Sequence, residues 1–161
     1  MNLGEQRLYT AATSAVPTLE ATNATAVGDS MWFIFFIESS HHSCLFSTNR
    51  LLERNKLKIS DIDVFELHEA FAGQVLANLR AMDSDFFARE FMGRTSKFGS
   101  IPMEKLNLWG GSLSIGHPFG ATGVRLVTTA ANRLHAEKGQ LALVAACAAG
   151  GLGHAMLIEA F

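Results

Sequence analysis

The chain has 161 residues, of which 48% are hydrophobic and 17% charged, with a formal net charge of −2. That length fits one domain or one large part of one, and the composition is globular rather than disordered. Near-neutral charge and unclustered Lys and Arg exclude a nucleic-acid footprint, and the longest apolar run, Met31 to Ile37, is far short of the ~20 residues a membrane-spanning helix needs.

Residues 1–47 read as a divergent, irregular segment. The opening stretch is rich in Thr, Ala and Ser, carries Glu5 and Glu20, and has no continuous apolar core, so it is neither a secretory signal nor a clear transit peptide. The run "MWFIFFI" predicts a buried strand, bounded by Gly28-Asp29 and Ser39-Ser40. The two cysteines, Cys44 and Cys147, form no metal-type pair with each other or with the histidines; in a chain this size they read as reduced, intracellular thiols.

Residues 48–161 are regular in pattern. "TNRLLERNKLK" predicts a short helix capped by Thr48 or Asn49. "IDVFEL" predicts a strand over 62–67. "HEAFAGQVLANLRAM" predicts a helix over 68–82, with Phe71, Val75, Leu76 and Leu79 inward. "SDFFAREFM" predicts a further short helix, and 93–105 a loop. A helix over 120–137 is predicted to face inward with Val124, Val127, Ala131 and Leu134, and to end at Gly139. "QLALVAACA" reads as a strand buried on both faces. "HAMLIEA" reads as a last strand, joined to it by the turn "GGLG" as an antiparallel hairpin. The fold class is therefore α/β, a mixed sheet flanked by helices.

The stretch "NLWGGSLSIGHPFGATGVR" sets His117 between Gly116 and Pro118 among small residues, which leave room for a ligand to approach the backbone. His68 follows one predicted strand, His117 follows a short extended stretch before a helix, and Cys147 lies near the end of another strand. In open α/β sheets, ligand sites lie off the carboxyl ends of strands. Alone, each has a structural reading: a helix-start histidine, a turn, a buried inert cysteine. Together they point to a site. Glu69 reads as serving a helix start, Phe71 as core, and Cys44 as outside the chemistry.

The three stretches "HEAFAGQVLAN", "GGSLSIGHPFGATG" and "CAAGGLGHAMLIE" resemble, in this order, three motifs of the thiolase C-terminal half, over about Leu51 to Phe161. His68 in place of Asn, "AMDSDFFAREFMGR" and "CAAGG" most resemble the family's long-chain 3-ketoacyl-CoA branch, the beta-subunit type of mitochondrial trifunctional complexes. The resemblance implies a thiolase-like C-terminal half over 48–161, an incomplete part of the layered family fold. It implies that His117 deprotonates the nucleophilic thiol and helps bind the thioester oxygen. Cys147 would be the acid/base at the acetyl carbon or CoA sulfur, and His68 would hold an oxyanion-hole water. The Ala149 N–H would serve a second oxyanion hole, Phe71 would line the acyl or pantetheine channel, and Gly116 would belong to the substrate-binding loop. No metal or cofactor is implied, only acyl-CoA and coenzyme A as substrates.

Implied partners are a second thiolase-type subunit or the alpha subunit of a trifunctional complex, with mitochondrial location and peripheral inner-membrane association. The family's nucleophilic cysteine sits in an N-terminal half that does not match this sequence, so the isolated chain is expected to be inactive. The competing expectations are a ketoacyl-synthase-like condensing domain, which Cys147 argues against, and an inactive truncated isoform that binds full-length subunits. The glycine-rich loop is expected to pack against the Cys147 turn, with His68, His117 and Cys147 converging on one cavity.

Overall fold

The computed structural model describes residues 6–13, 43–149 and 151–160. The strand expected in the aromatic run at 31–37 lies outside them. In chain order the elements are β1 (Gln6–Thr13), α1 (Ser43–Asn55), β2 (Val64–Leu67), α2 (Ala72–Met82), α3 (Asp85–Met92), α4 (Ser112–Ile115), α5 (Thr122–Glu137), β3 (Leu141–Ala148) and β4 (Leu152–Ala160). The strands form a four-stranded sheet in the order β1-β4-β3-β2. β3 and β4 are the expected antiparallel hairpin, with Cys147 opposite Gly153, while β2 runs parallel to β3 with Leu67 opposite Ala145. The sheet is thus mixed, and helices cover both faces.

Alternation along the strands builds two cores. Phe65, Leu67, Leu143, Ala145 and Leu157 face α1, Leu79, Met82 and Phe87. Val64, Ala142, Val144 and Ile158 face Leu126, Ala130 and Leu134 of α5. That i, i+4 stripe corrects the expected inward face of α5: Val124 is 70% exposed. The stripe starting at Leu126 meets the small residues of β3, where one starting at Val124 would point away from the sheet. The helix closes at Lys138, in the left-handed region at φ 56°, rather than at Gly139. Gly139 is required for another reason: a Cβ there would come within 2.9 Å of the Asp63 side chain. The Asp63 carboxylate accepts from the backbone N–H groups of Gln140 and Leu141, so it pins the start of β3.

Three other boundaries differ from expectation. β1 pairs with β4 along its whole length, from Gln6 opposite Ala160 to Thr13 opposite Gly153. The segment shows no period-2 alternation, so a strand was not legible there. α1 begins at Ser43, not near residue 48, because Cys44, Leu45, Thr48, Leu51 and Leu52 make one buried stripe; Thr48 and Asn49 are buried rather than capping. α2 begins at Ala72, four residues after His68, and its buried face includes Gln74 and Asn78 as well as Leu79. Phe71 and Leu76, expected inward, are 59% and 53% exposed. α3 forms as expected, with Ser84 accepting from the Phe87 N–H as N-cap and Gly93 closing it at φ 63°.

Candidate active site

The parallel strands β2 and β3 end side by side, and the polar groups gather off their carboxyl ends. The His68 N–H donates to the Ala145 carbonyl at 2.8 Å, which continues the ladder one step past β2. Asn107 then takes over the free edge of β2. Its Oδ1 accepts from the Leu67 N–H at 2.8 Å and its Nδ2 donates to the Leu67 carbonyl at 2.9 Å. The same Nδ2 donates to Oε1 of Glu69 at 2.7 Å.

Glu69 locks the glycine-rich segment to this frame. Its Oε2 accepts from the Leu113 N–H at 3.1 Å, at the start of the short turn α4. A Cβ on Gly111 would collide with the Glu69 carboxylate, so this glycine permits the close approach. Three later glycines of the segment are different: a Cβ at Gly116, Gly120 or Gly123 would meet nothing within 4 Å. The tight approach at Gly111 is to the Glu69 carboxylate, a different neighbour from the Cys147 turn expected from the sequence. Gly116 sits at φ 97° and turns the chain from α4 into His117.

The turn delivers His117 against His68. The two ring centroids are 4.2 Å apart, and Phe119 lies 4.8 Å from the His117 ring. Each Nδ1 meets a hydroxyl: His68 with Ser112 Oγ at 2.9 Å, His117 with Thr122 Oγ1 at 2.7 Å. Arg125 Nη2 also donates to Ser112 Oγ, at 2.8 Å. His68 is buried while His117 is exposed at the mouth. Burial holds the His68 pKa below its ordinary value, and the neighbouring charges of His117 and Arg125 push the same way, against Glu69. The neutral imidazole is thus the favoured form of His68.

Cys147 stands at the end of β3, half-buried, and packs on the α1 side of the sheet. Gln74 Nε2 donates to its sulfur at 3.1 Å and reaches the Cys44 sulfur at 3.9 Å. Asn78 Nδ2 donates to Cys44 at 3.1 Å. The hydrogen bond that the Cys44 thiol makes to Cys147, together with burial, pushes the Cys44 thiol well above its ordinary pKa. A narrow crevice beside these groups is lined by Cys44, Thr48, His68, Val75 and Asn78. The structure thus brings His68 and His117 into direct contact, and ties Cys147 to Gln74 and Cys44. Ala149 is exposed in the turn after β3, and Phe71 is exposed where α2 begins.

Sequence reasoning missed Gln74, Asn78, Asn107, Ser112 and Thr122. The signal for Gln74 and Asn78 was present: two amides at i, i+4 within an apolar helix. Among the described residues, no group of three or more His, Cys, Asp or Glu side chains could hold a metal ion, and no helix is long and apolar enough to cross a membrane.

The family model for the thiolase C-terminal domain matches residues 39–160. A probable 3-ketoacyl-CoA thiolase of Caenorhabditis elegans is 70% identical over 112 residues, covering 70% of this chain and 25% of the relative. The mitochondrial trifunctional enzyme subunit beta of Mus musculus is 65% identical over 116 residues, covering 72% and 24%. A 3-ketoacyl-CoA thiolase of Colwellia psychrerythraea is 48% identical over 114 residues, covering 71% and 26%. The chain thus spans about a quarter of the length of these relatives. With the α/β sheet and the paired histidines at its carboxyl ends, this match shows that the chain belongs to the thiolase family, through its C-terminal domain.

Proposed function

We propose that this chain contributes the proton-transfer and oxyanion-binding part of an acetyl-CoA C-acyltransferase, a 3-ketoacyl-CoA thiolase of fatty-acid β-oxidation. The observation that carries the reading is the His68–His117 pair at the carboxyl ends of β2 and β3, within 4.2 Å centroid to centroid. Thiolysis needs a base for a thiol, fixed donors for an enolate oxygen and a proton donor for the departing carbon. When a thiolate attacks the 3-keto carbon, the bond between carbons 2 and 3 breaks and its electron pair leaves as an acetyl-CoA enolate. The acyl group stays on the thiolate as a thioester, and CoA sulfur later takes it. His117 is the base that accepts the thiol proton, and His68 stabilises the enolate oxygen. Cys147 delivers the proton to carbon 2, with the Ala149 N–H as a second oxyanion donor and Phe71 beside the acyl path.

The nucleophile is supplied by a polypeptide region outside residues 48–161. Cys44 is unsuited, since its environment favours the neutral thiol. The exposed apolar rim around His117, including Trp109, Leu113, Ile115 and Phe119, supports a covering segment or subunit. The relatives' names support a mitochondrial location and assembly with the alpha subunit of a trifunctional complex. A thiolase-type dimer and peripheral inner-membrane association belong to the same reading.

The test is acetoacetyl-CoA consumption with CoA, using the chain alone and mixed with the mouse subunit truncated before its matched segment. No turnover alone, and turnover on mixing that His117→Ala abolishes, is the expected result. Turnover by the chain alone, or a mixture indifferent to His117→Ala, would refute the assignment.

A further inference from the structure

We infer that Ser112, held by Arg125, and Thr122, held by the Pro118 carbonyl, are positioning residues that fix His68 and His117 in opposite tautomers. An arginine guanidinium only donates, so Ser112 Oγ accepts from Arg125 Nη2 at 2.8 Å. The hydroxyl's own proton then goes to its other partner, His68 Nδ1, at 2.9 Å. Were the imidazole proton on Nδ1, two donors would converge on Ser112 Oγ and the hydroxyl proton would be left without an acceptor beside a buried ring. His68 therefore carries its proton on Nε2.

The second hydroxyl is wired the other way. A carbonyl only accepts, so Thr122 Oγ1 spends its proton on the Pro118 carbonyl, at 3.1 Å. It can then only accept from His117 Nδ1, at 2.7 Å. In its neutral form His117 therefore carries its proton on Nδ1 and has a bare Nε2. The outer partner of each hydroxyl, a cation in one case and a carbonyl in the other, decides the proton's place on the ring behind it.

The pair is thus one N–H donor and one lone-pair acceptor, side by side. Reversing His117 would cost the Thr122–Pro118 hydrogen bond, and reversing His68 would leave the Ser112 hydroxyl proton without an acceptor. Burial of His68 and the Arg125 charge near it favour the neutral form of that ring. The consequence for thiolysis rests on the proposed function: a donor for the enolate oxygen and a base for the thiol are set before substrate arrives. The tautomers themselves stand on geometry alone.

Long-range proton–nitrogen correlation spectra of the full chain, labelled at histidine nitrogen and recorded above the ordinary histidine pKa, read the tautomers directly. His68→Gln and His117→Gln assign the signals. The expected spectrum has His68 protonated at Nε2 and His117 at Nδ1. Ser112→Ala should shift the His68 nitrogens toward a tautomer average, and Ser112→Thr should restore them. A Ser112 that merely packs would leave those shifts unmoved in both variants while the backbone amide spectrum is retained. Should Ser112→Ala not fold, the unmodified chain still decides: the same tautomer on both rings, or His68 protonated at Nδ1, overturns the inference. Correct tautomers with no thiolysis on mixing would reject the thiolase reading alone.

Discussion

His68 and His117 stack with their ring planes 40° apart, one buried and one at the mouth, so a charge on either is felt by the other. Two imidazolium rings at that separation repel, and burial already disfavours the charged form of His68. Its folded pKa lies below the unfolded value of about 6.5. Between the two values the unfolded chain binds more protons than the folded one. The stabilising contribution is therefore complete above about pH 6.5 and is lost as pH falls through the folded pKa. Urea midpoints should drop over that window, and His68→Gln should flatten the drop. An unchanged slope in that variant would assign the pH dependence to other groups.

Gly111 leaves no room for a side chain beside the Glu69 carboxylate, and the two give a second prediction. Gly111→Ala puts a methyl group into the carboxylate that holds Asn107 Nδ2 and the Leu113 N–H. Overpacking of this kind costs about 1–3 kcal/mol. Glu69→Ala removes the obstacle along with the two hydrogen bonds. The double variant should therefore be less destabilised than the sum of the single ones, by urea denaturation. Additive losses would mean that the two residues do not share this space.

Much of this arrangement was legible in the residues. His68 and Cys147 fall at the ends of apolar runs, and the structure sets them beyond β2 and near the end of β3; His117 precedes α5 as expected, but the stretch before it, expected to be extended, is the helical turn α4. Three motifs in one order carried the family. The α/β class followed from the alternation of strand and helix patterns, and the β3–β4 hairpin from its short turn. The parts that escaped are those in which a residue's partner is remote in sequence. Asn107 reads as loop, yet it completes the edge of β2 across 40 residues. Gln74 breaks the apolar pattern of α2 and so looked like a solvent-facing position, but its amide reaches a sulfur 73 residues away. β1 depends on its ladder with β4, which no local pattern announces. The start of α1 was hidden because a stripe containing Cys44 and Thr48 looks polar on paper.

A third prediction concerns the buried ion pair behind the site. Glu66 and Arg133 are fully buried, with Arg133 Nη1 donating to Glu66 Oε1 at 2.8 Å. Arg133 also reaches Glu137 and the Lys105 carbonyl, tying α5 to β2 and to the loop before Asn107. Burial raises the Glu66 pKa and the Arg133 partnership opposes that rise. Arg133→Met strips the carboxylate of its partner, and breaking such a pair costs roughly 3–5 kcal/mol. Glu66→Met combined with Arg133→Met removes both charges and should recover most of the loss. If the double variant is no more stable than Arg133→Met, the pair's value lies in its links to Glu137 and Lys105 rather than in charge neutralisation.

The two thiols should differ in reactivity, although Gln74 touches both. Thiolate is the reactive form, and its fraction falls as the pKa rises. Cys44 is buried, and the hydrogen bond its thiol makes to Cys147 and its burial both raise its pKa. Cys147 is half-buried at a strand end and open enough for a small reagent. Iodoacetamide should therefore label Cys147 first, with Cys44 reacting only as the fold opens. Under acetyl-CoA, no acetyl thioester should accumulate on Cys44, because a neutral thiol held between two amides is a poor acceptor. Peptide mass mapping after a time course separates the sites. Gln74→Ala sharpens the test by removing the shared amide while leaving Asn78 on Cys44. Cys44 should stay slow in that variant, since its burial and the Cys147 contact remain. Rapid alkylation or acetylation of Cys44 in the folded chain would make it a nucleophile in its own right, and would remove the reason for placing the acyl acceptor elsewhere.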